Sequence, residues 1–414
     1  MTGPSTRELD LVLVGATGFV GRLTAAHLAE HAPADLRIGL AGRSSQRLRD
    51  TRAGLPAAAR NWPLTTVDVT DAAAAADLVP RTRVLVSTVG PYLRYGLPLV
   101  QACAGAGTDY ADLTGETLFV HRSIAAAHEL AQASGARIVH SCGLDAIPSD
   151  LGVGLTAARA AADGEGALTE AVLHLRIARG GISGGTIDSL RQQIIESQTD
   201  QRVRRLSADP RALTGEPAGA HPRRRRRPPL SVRRDRDTGR YQAPFAMGGF
   251  NRQIVFRSNA LAGWAYGRGL RYREVVDTGR GPLGAVAAAA ISIGSTAIMA
   301  GMWFRGTRAV LDRVLPSPGD GPDQRTRRAG RFRMEVEAMT TTGARYRTTI
   351  GADKDPGYDG TAVMLGESAL CLASHGEAPG VGGVLTPMTA LGEPLARRLR
   401  ERGFTVTTER LAVP

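Results

Sequence analysis

The chain has 414 residues, more than one small core accommodates, so two domains are expected. Its three cysteines, Cys103, Cys142 and Cys371, show neither CxxC nor zinc-site spacing, which argues against a disulfide scaffold or bound metal and for reduced thiols in a cytosol. The net charge of +13 comes from arginine, Lys354 being the only lysine, and it favours acidic or phosphorylated partners without specifying one.

The opening residues, Met1 to Asp10, are polar and lack the apolar core of a secretory leader, so a cytoplasmic location is expected. The apolar run Leu9 to Val14 suits one buried parallel strand. Gly15-Ala16-Thr17-Gly18-Phe19-Val20-Gly21 follows, then Arg22 to Leu28 with apolar positions at helical spacing. Strand, glycine-rich turn and helix form the setting in which such a motif binds a dinucleotide. Gly15 permits the tight turn, Gly18 lets backbone N–H groups approach a diphosphate, and Gly21 lets the helix pack on the strand. The spacing is GxxGxxG, a weaker signal than GxGxxG when taken alone.

Leu36 to Ala41 reads as a second strand. An NAD-preferring site places an acid at its end, on the ribose hydroxyls. Here the chain runs Gly42-Arg43-Ser44-Ser45. Arg43 can fork onto a 2′-phosphate and Ser44 can add a hydroxyl, so NADP(H) is the expected cofactor. Leu64 to Val69 makes a third strand, with Asp68 where an adenine amino group is met. An alanine-rich helix spans Asp71 to Val79, and a fourth strand, Arg83 to Val89, leads into Gly90-Pro91-Tyr92. Ligands of open α/β sheets lie off the carboxyl ends of strands, so Thr88, Val89, Gly90 and Tyr92 are expected near the ribose and nicotinamide. A helix at Leu97–Ala106, a strand at Tyr110–Leu113, a helix to Ser134 and a strand at Arg137–Cys142 complete the alternation. It predicts a Rossmann-type doubly wound parallel sheet over residues 1–150.

Asp145 to Asp150 forms a loop off the sixth strand that should border the nicotinamide, and a helix, Leu151 to Ala161, leads away. Glu170 to Ala178 alternates as a half-buried strand does. Gly184-Gly185-Thr186 starts a helix capped by Thr186, its glycines serving either to turn the chain or to admit a ligand. Arg252–Arg257, Arg271–Val276, Phe332–Ala338 and Arg345–Ile350 read as strands, with a hairpin turn at Thr341-Thr342-Gly343. Gly360–Ala373 and Pro387–Arg402 read as helices, and Gly403–Thr408 as a last strand. Residues 151–414 are thus expected to form an α+β domain with a mainly antiparallel sheet that binds the substrate.

Several of these segments are similar to one family. GATGFVG at 15–21, AGR at 41–43, STVGPY at 87–92, DYADLTGE at 109–116 and SCGLDAIPSDLG at 141–152 resemble the saccharopine dehydrogenase-like oxidoreductases. SGGTIDS at 183–189, APF at 243–245, SNAL at 258–261, DPGYDGTAVM at 355–364 and GGVLTPMTALG at 382–392 narrow the resemblance to an actinobacterial branch, the trans-acting enoyl reductases. The resemblance implies NADPH-dependent reduction of a carbon–carbon double bond on a polyketide or lipid acyl thioester, for a polyketide synthase that lacks its own enoyl reductase domain. Two other readings stay open. One is a saccharopine-type dehydrogenase acting on an imine or amino acid; the other is a non-catalytic NADP(H)-binding scaffold at a lipid surface.

Reducing such a bond needs hydride at the β-carbon, a proton at the α-carbon and a donor on the thioester oxygen. Tyr92 and Asp145 are the candidate acids, and Ser149, Thr186 and Tyr358 the candidates for orienting the thioester. Arginines 223–227, held between prolines within a basic loop spanning about 207–240, read as a solvated loop or as a dock for an acidic acyl carrier. No aromatic platform interleaves them, so nucleic acid is not an expected partner. The uncharged stretch 281–304 is long enough to span a bilayer, but its alanine, glycine and serine content makes a buried helix or helical hairpin the first expectation. Peripheral membrane contact, or an acyl-chain tunnel, is the second, and a true span the third.

Overall fold

The computed structural model describes residues 7–180, 191, 194–196, 198, 200–216, 232–304, 306–308, 322–374 and 381–412. The helix expected from Thr186 and the arginine block at 223–227 lie outside the described residues.

Six strands alternate with helices through the first third of the chain: β1 (Leu9–Val14), β2 (Ile38–Gly42), β3 (Leu64–Thr66), β4 (Thr82–Ser87), β5 (Asp109–Asp112) and β6 (Arg137–Val139). The intervening helices are α1 (Phe19–His31), α2 (Ser45–Ala53), α3 (Ala72–Leu78), α4 (Tyr92–Ala106) and α5 (Thr117–Ser134). All the strand pairs are parallel, and β1 lies between β4 and β2, with Val14 level with Ser87 and Ala41. Strand order therefore reverses at β1, which opens a crevice at the carboxyl ends of β1 and β4. Every residue of β1 is buried, as a strand covered on both faces requires.

The strands of the second sheet are β7 (Leu168–Arg179), β8 (Arg233–Arg234), β9 (Tyr241–Pro244), β10 (Arg271–Gly279), β11 (Arg331–Thr340), β12 (Arg345–Ala352) and β14 (Thr405–Leu411). They lie in the order β14-β12-β11-β7-β10-β9-β8. Among the described residues of this sheet only β7 and β10 pair in parallel, and the other pairs are antiparallel. A long helix, α6 (Ile147–Ala162), leaves the end of β6 and packs on β11 and β12, so the carboxyl edge of the first sheet opens directly onto the second.

Three expectations are corrected. Arg252–Arg257 is not a strand but part of a helix, Gly248–Leu261. Phe250, Ile254, Val255 and Phe256 are all buried, and packing against α6 outweighs the local preference of a β-branched and aromatic run. The division at residue 150 is incomplete, because β13 (Gly383–Leu385) returns to pair in parallel with β6 and the helix Thr361–Ala373 lies on the first sheet against α1. The helix expected over Pro387–Arg402 is two, Pro387–Ala390 and Gly392–Glu401, broken where Gly392 takes φ +43°.

One buried carboxylate locks the returning segment in place. Glu367 is wholly buried and meets His27 of α1 at 2.8 Å, Arg402 at 2.7 Å and Arg398 at 3.4 Å. Burial pushes its pKa up, but hydrogen bonds from His27 and Arg402 outweigh this and hold the carboxyl below its ordinary value. Glu367→Ala is expected to cost about 3 kcal/mol at neutral pH by stranding its partners. A depressed folded pKa stabilises above the unfolded pKa and ceases to do so as pH falls through the folded one. The gap between wild type and variant in urea denaturation should therefore narrow below the ordinary carboxylate range. A gap that persists in acid would mean that packing, not charge, is what Glu367 contributes.

Candidate active site at the carboxyl edge of the first sheet

The turn between β1 and α1 has the shape its glycines predict. Gly15 adopts φ +83°, and a Cβ there would meet the Thr88 hydroxyl at 2.6 Å. A Cβ on Gly21 would lie 2.2 Å from the Gly15 carbonyl oxygen, so α1 starts where only glycine fits. Gly18 is different. Its Cβ would meet only the Gly15 oxygen, at 3.3 Å, and otherwise project into open space. Gly18 is also the N-cap of α1, with no side-chain cap and no acidic residue in the first turn. The helix start is left open with its N–H groups and positive dipole end available, a cradle that suits a diphosphate.

Thr88 braces this turn from β4: its hydroxyl donates to the Val14 and Gly15 carbonyls, at 3.2 and 3.1 Å. Thr88 and Val89 are half-buried and Gly90 is exposed at the crevice edge. Arg43 is exposed at the end of β2, next to the turn and close enough to lower the Asp68 pKa, although the hydrogen bond from the Thr70 hydroxyl lowers it most. The Ser44 hydroxyl accepts from the Arg47 N–H at 3.3 Å and so caps α2. Asp68 is exposed and accepts from both the backbone N–H and the hydroxyl of Thr70.

Tyr92 does not face the crevice. It is buried, donates to the Ser87 carbonyl at 3.0 Å and accepts from the Leu113 N–H at 3.2 Å. Burial pushes its phenol well above the ordinary value, and the ring stacks on Phe119. It ties the ends of β4 and β5 together and is no proton donor to a ligand in the crevice. Glu116 completes that joint by accepting the Tyr92 and Leu93 N–H groups at 3.0 and 2.7 Å, which satisfies the start of α4.

Asp145 has the opposite character. It follows β6 and is partly exposed, and its carboxylate accepts no hydrogen bond from the described residues. Desolvation alone raises its pKa to about 6. A carboxyl without partners whose pKa lies near 6 holds a proton below that pH and can deliver it. Next to it lies a buried polar network. Glu274 of β10 accepts from Ser149 at 2.7 Å, Tyr272 at 2.7 Å and Asn251 at 2.9 Å. Burial raises the Glu274 pKa, and the neighbouring Asp145 charge adds to the shift. Ser149 is thereby committed to Glu274 and wholly buried, so it is not available to orient a thioester. Tyr358 is also buried, with its ring edge-on to Phe19 at 4.8 Å. It supports the glycine-rich turn and does not line the crevice floor.

Residues that the sequence did not single out close the site. The Met247 methyl reaches Gly115 at the end of β5. Thr361 touches Gly143, and its hydroxyl accepts from the Leu144 N–H at 3.4 Å. Arg327 stacks over Phe19, 5.5 Å from its ring centroid, and pairs with Asp359. No spacing in the sequence marks these three, because Gly115, Gly143 and Phe19 each lie more than one hundred residues from the side chain that meets them. A further constellation is structural. Asp112, His140 and Ser123 are linked at 2.7 Å each, as in a nucleophilic triad, yet all three are buried. They join β5, β6 and α5, and the serine has no route to a substrate.

Comparisons agree with this geometry. Residues 11–139 match the saccharopine dehydrogenase NADP-binding domain. A trans-acting enoyl reductase of Mycobacterium ulcerans is 44% identical over 415 residues, covering 98% of this chain and 99% of that protein. Another, of Mycobacterium tuberculosis, is 43% identical over 419 residues, covering 99% and 100%. The saccharopine dehydrogenase of Saccharomyces cerevisiae superposes with a TM-score of 0.54 at 14% identity, over 98% of this chain and all of that one, a likeness of fold. With the cradle in place and relatives this similar end to end, the chain belongs to the trans-acting enoyl reductases, NADP-dependent oxidoreductases of saccharopine dehydrogenase-like fold.

Proposed function

We propose that the protein uses NADPH to reduce the α,β-double bond of an acyl thioester in polyketide or lipid synthesis, acting in trans on a chain that a synthase supplies. The observation that carries this reading is Asp145, an unpartnered acid of raised pKa at the end of β6, on the crevice side of the first sheet. The reduced dinucleotide, when bound, supplies the hydride. The chain's own residues do the rest. The cradle from Gly15 to Gly21 holds the diphosphate, Arg43 meets the 2′-phosphate, and Asp145 holds the proton that the α-carbon takes up. The reaction runs in the cytosol, and the net charge of +13 favours an acidic acyl carrier as the form in which the thioester arrives.

The test is consumption of NADPH by purified protein, with an α,β-unsaturated acyl thioester as acceptor. Turnover supports the reading. Turnover with an imine and none with the thioester would move the protein to a saccharopine-type dehydrogenase. Coenzyme binding with no turnover on either would make it a scaffold. In the same assay Arg43→Asp is expected to weaken NADPH by about ten- to hundredfold, the worth of one charged hydrogen-bonded pair, and to favour NADH instead. An unchanged preference would remove Arg43 from the 2′-phosphate.

A further inference from the structure

The stretch 281–304 is neither buried nor a hairpin. It forms one helix, Gly281–Trp303, that packs against β9 and β10 of the second sheet. Its seat is narrow. Gly284, Ala288 and Ser292, at successive four-residue steps, are buried, and Met302 is buried near the far end. At the near end the Thr278 hydroxyl donates to the Gly284 carbonyl at 2.7 Å. The opposite face points away from the protein. Leu283, Val286 and Ile293 share that face, and they are 85%, 66% and 61% exposed. Ala290 and Ala297 lie between and beyond them, also exposed. On the flanks Ile291, Ile298 and Met299 are exposed as well.

We infer that this outward face beds into an anionic lipid bilayer, with the helix lying in the boundary between headgroups and acyl chains. Three features favour lipid over another protein as the occupant. First, the helix carries no charged residue over its 23 positions, or about 34 Å at the usual rise, while isolated exposed apolar residues are the norm on soluble surfaces. Second, its outer face is small and aliphatic, without the central aromatic or arginine anchor that concentrates binding energy between proteins. Its aromatics, Trp303 and Phe304, stand together at the far end, where interfacial aromatics gather. Third, charge flanks the apolar surface at both ends. Arg280 precedes the helix, exposed, and Arg308 follows it, on a chain of net charge +13. Arginines beside an apolar face are what an anionic leaflet attracts.

Both ends are tied back to the protein, so the helix lies on a surface and does not leave the fold. Arg280 donates to the Thr238 carbonyl at 2.8 Å; Arg308 donates to the Met302 carbonyl at 2.8 Å and to Gln198 at 3.1 Å. The inference does not depend on the enoyl reductase reading, and its test reads lipid binding, not turnover.

The experiment is co-sedimentation of the full chain with vesicles of equal parts phosphatidylcholine and phosphatidylglycerol, and with vesicles of phosphatidylcholine alone. Wild type is expected to sediment with the first and far less with the second. Leu283→Gln, Val286→Gln and Ile293→Gln combined should lower partition into anionic vesicles by at least about tenfold, the loss expected from removing three apolar insertions. NADPH binding by the same variant should be unchanged, which shows that it has folded. A wild type that stays in the supernatant overturns the inference, as does a folded variant that sediments as well as wild type. A wild-type dimer that the triple variant converts to monomer, without lipid, would also overturn it and assign the face to a second copy.

Discussion

Gly18→Ala is expected to keep its stability and weaken dinucleotide binding, whereas Gly21→Ala is expected to lower both. The two glycines stand three residues apart in one turn, and their surroundings differ. A methyl on Gly21 would come within 2.2 Å of the Gly15 oxygen and 3.0 Å of the Ala16 Cα, backbone atoms that cannot step aside. The start of α1 must then shift, at a cost of about 1–3 kcal/mol typical of overpacking. A methyl on Gly18 finds only the Gly15 oxygen, at 3.3 Å, and fills the open space at the helix start. Its φ of −74° suits any residue, so denaturation should scarcely change. Coenzyme titration by fluorescence should nonetheless show at least about tenfold weaker NADPH binding, because the methyl takes the room of a phosphate oxygen. Unchanged affinity in Gly18→Ala would show that the diphosphate does not rest on this helix start.

Asp145→Asn should lower kcat by about a hundred- to ten-thousandfold while leaving NADPH affinity alone. Desolvation raises the carboxyl to about 6, and no described residue donates a hydrogen bond to hold it ionised. A general acid works in its protonated form, so the wild-type rate should fall as pH rises through about 6. Asparagine is nearly isosteric and cannot release a proton, so that step should vanish from the profile together with most of the rate. If Asp145 only shaped its loop, the variant would lose stability and keep the pH step. Full activity in Asp145→Asn would leave proton delivery to water.

The strand, glycine turn and helix start that suit a diphosphate are legible in the amino-acid sequence. β1, the glycine turn and α1 are contiguous, and their periodicities are local properties of about twenty residues. Arg43, Thr88 and Gly90 can be placed because strand ends carry ligands in a parallel sheet, whichever side chains stand there. The substrate half is not legible in this way. Ser149 looks available in the sequence, but Glu274 takes its hydroxyl from 125 residues away. Tyr92 looks like an acid beside the nicotinamide, but Ser87 and Leu113 claim its hydroxyl from two neighbouring strands.

Sequence alone therefore determined the dinucleotide cradle, the order of the first six strands along the chain and the presence of a second, mainly antiparallel sheet. Those follow from glycine spacing and from periods of two and 3.6 residues, which a chain displays without its partners. The tertiary structure decided that Gly248–Leu261 is a helix, that β13 returns to the first sheet, and that the apolar helix from Gly281 to Trp303 faces outward. Each of these depends on what packs against a segment from a distant part of the chain. A side chain's neighbours across the fold settle whether it is buried, paired or left free to react, and no local pattern encodes them.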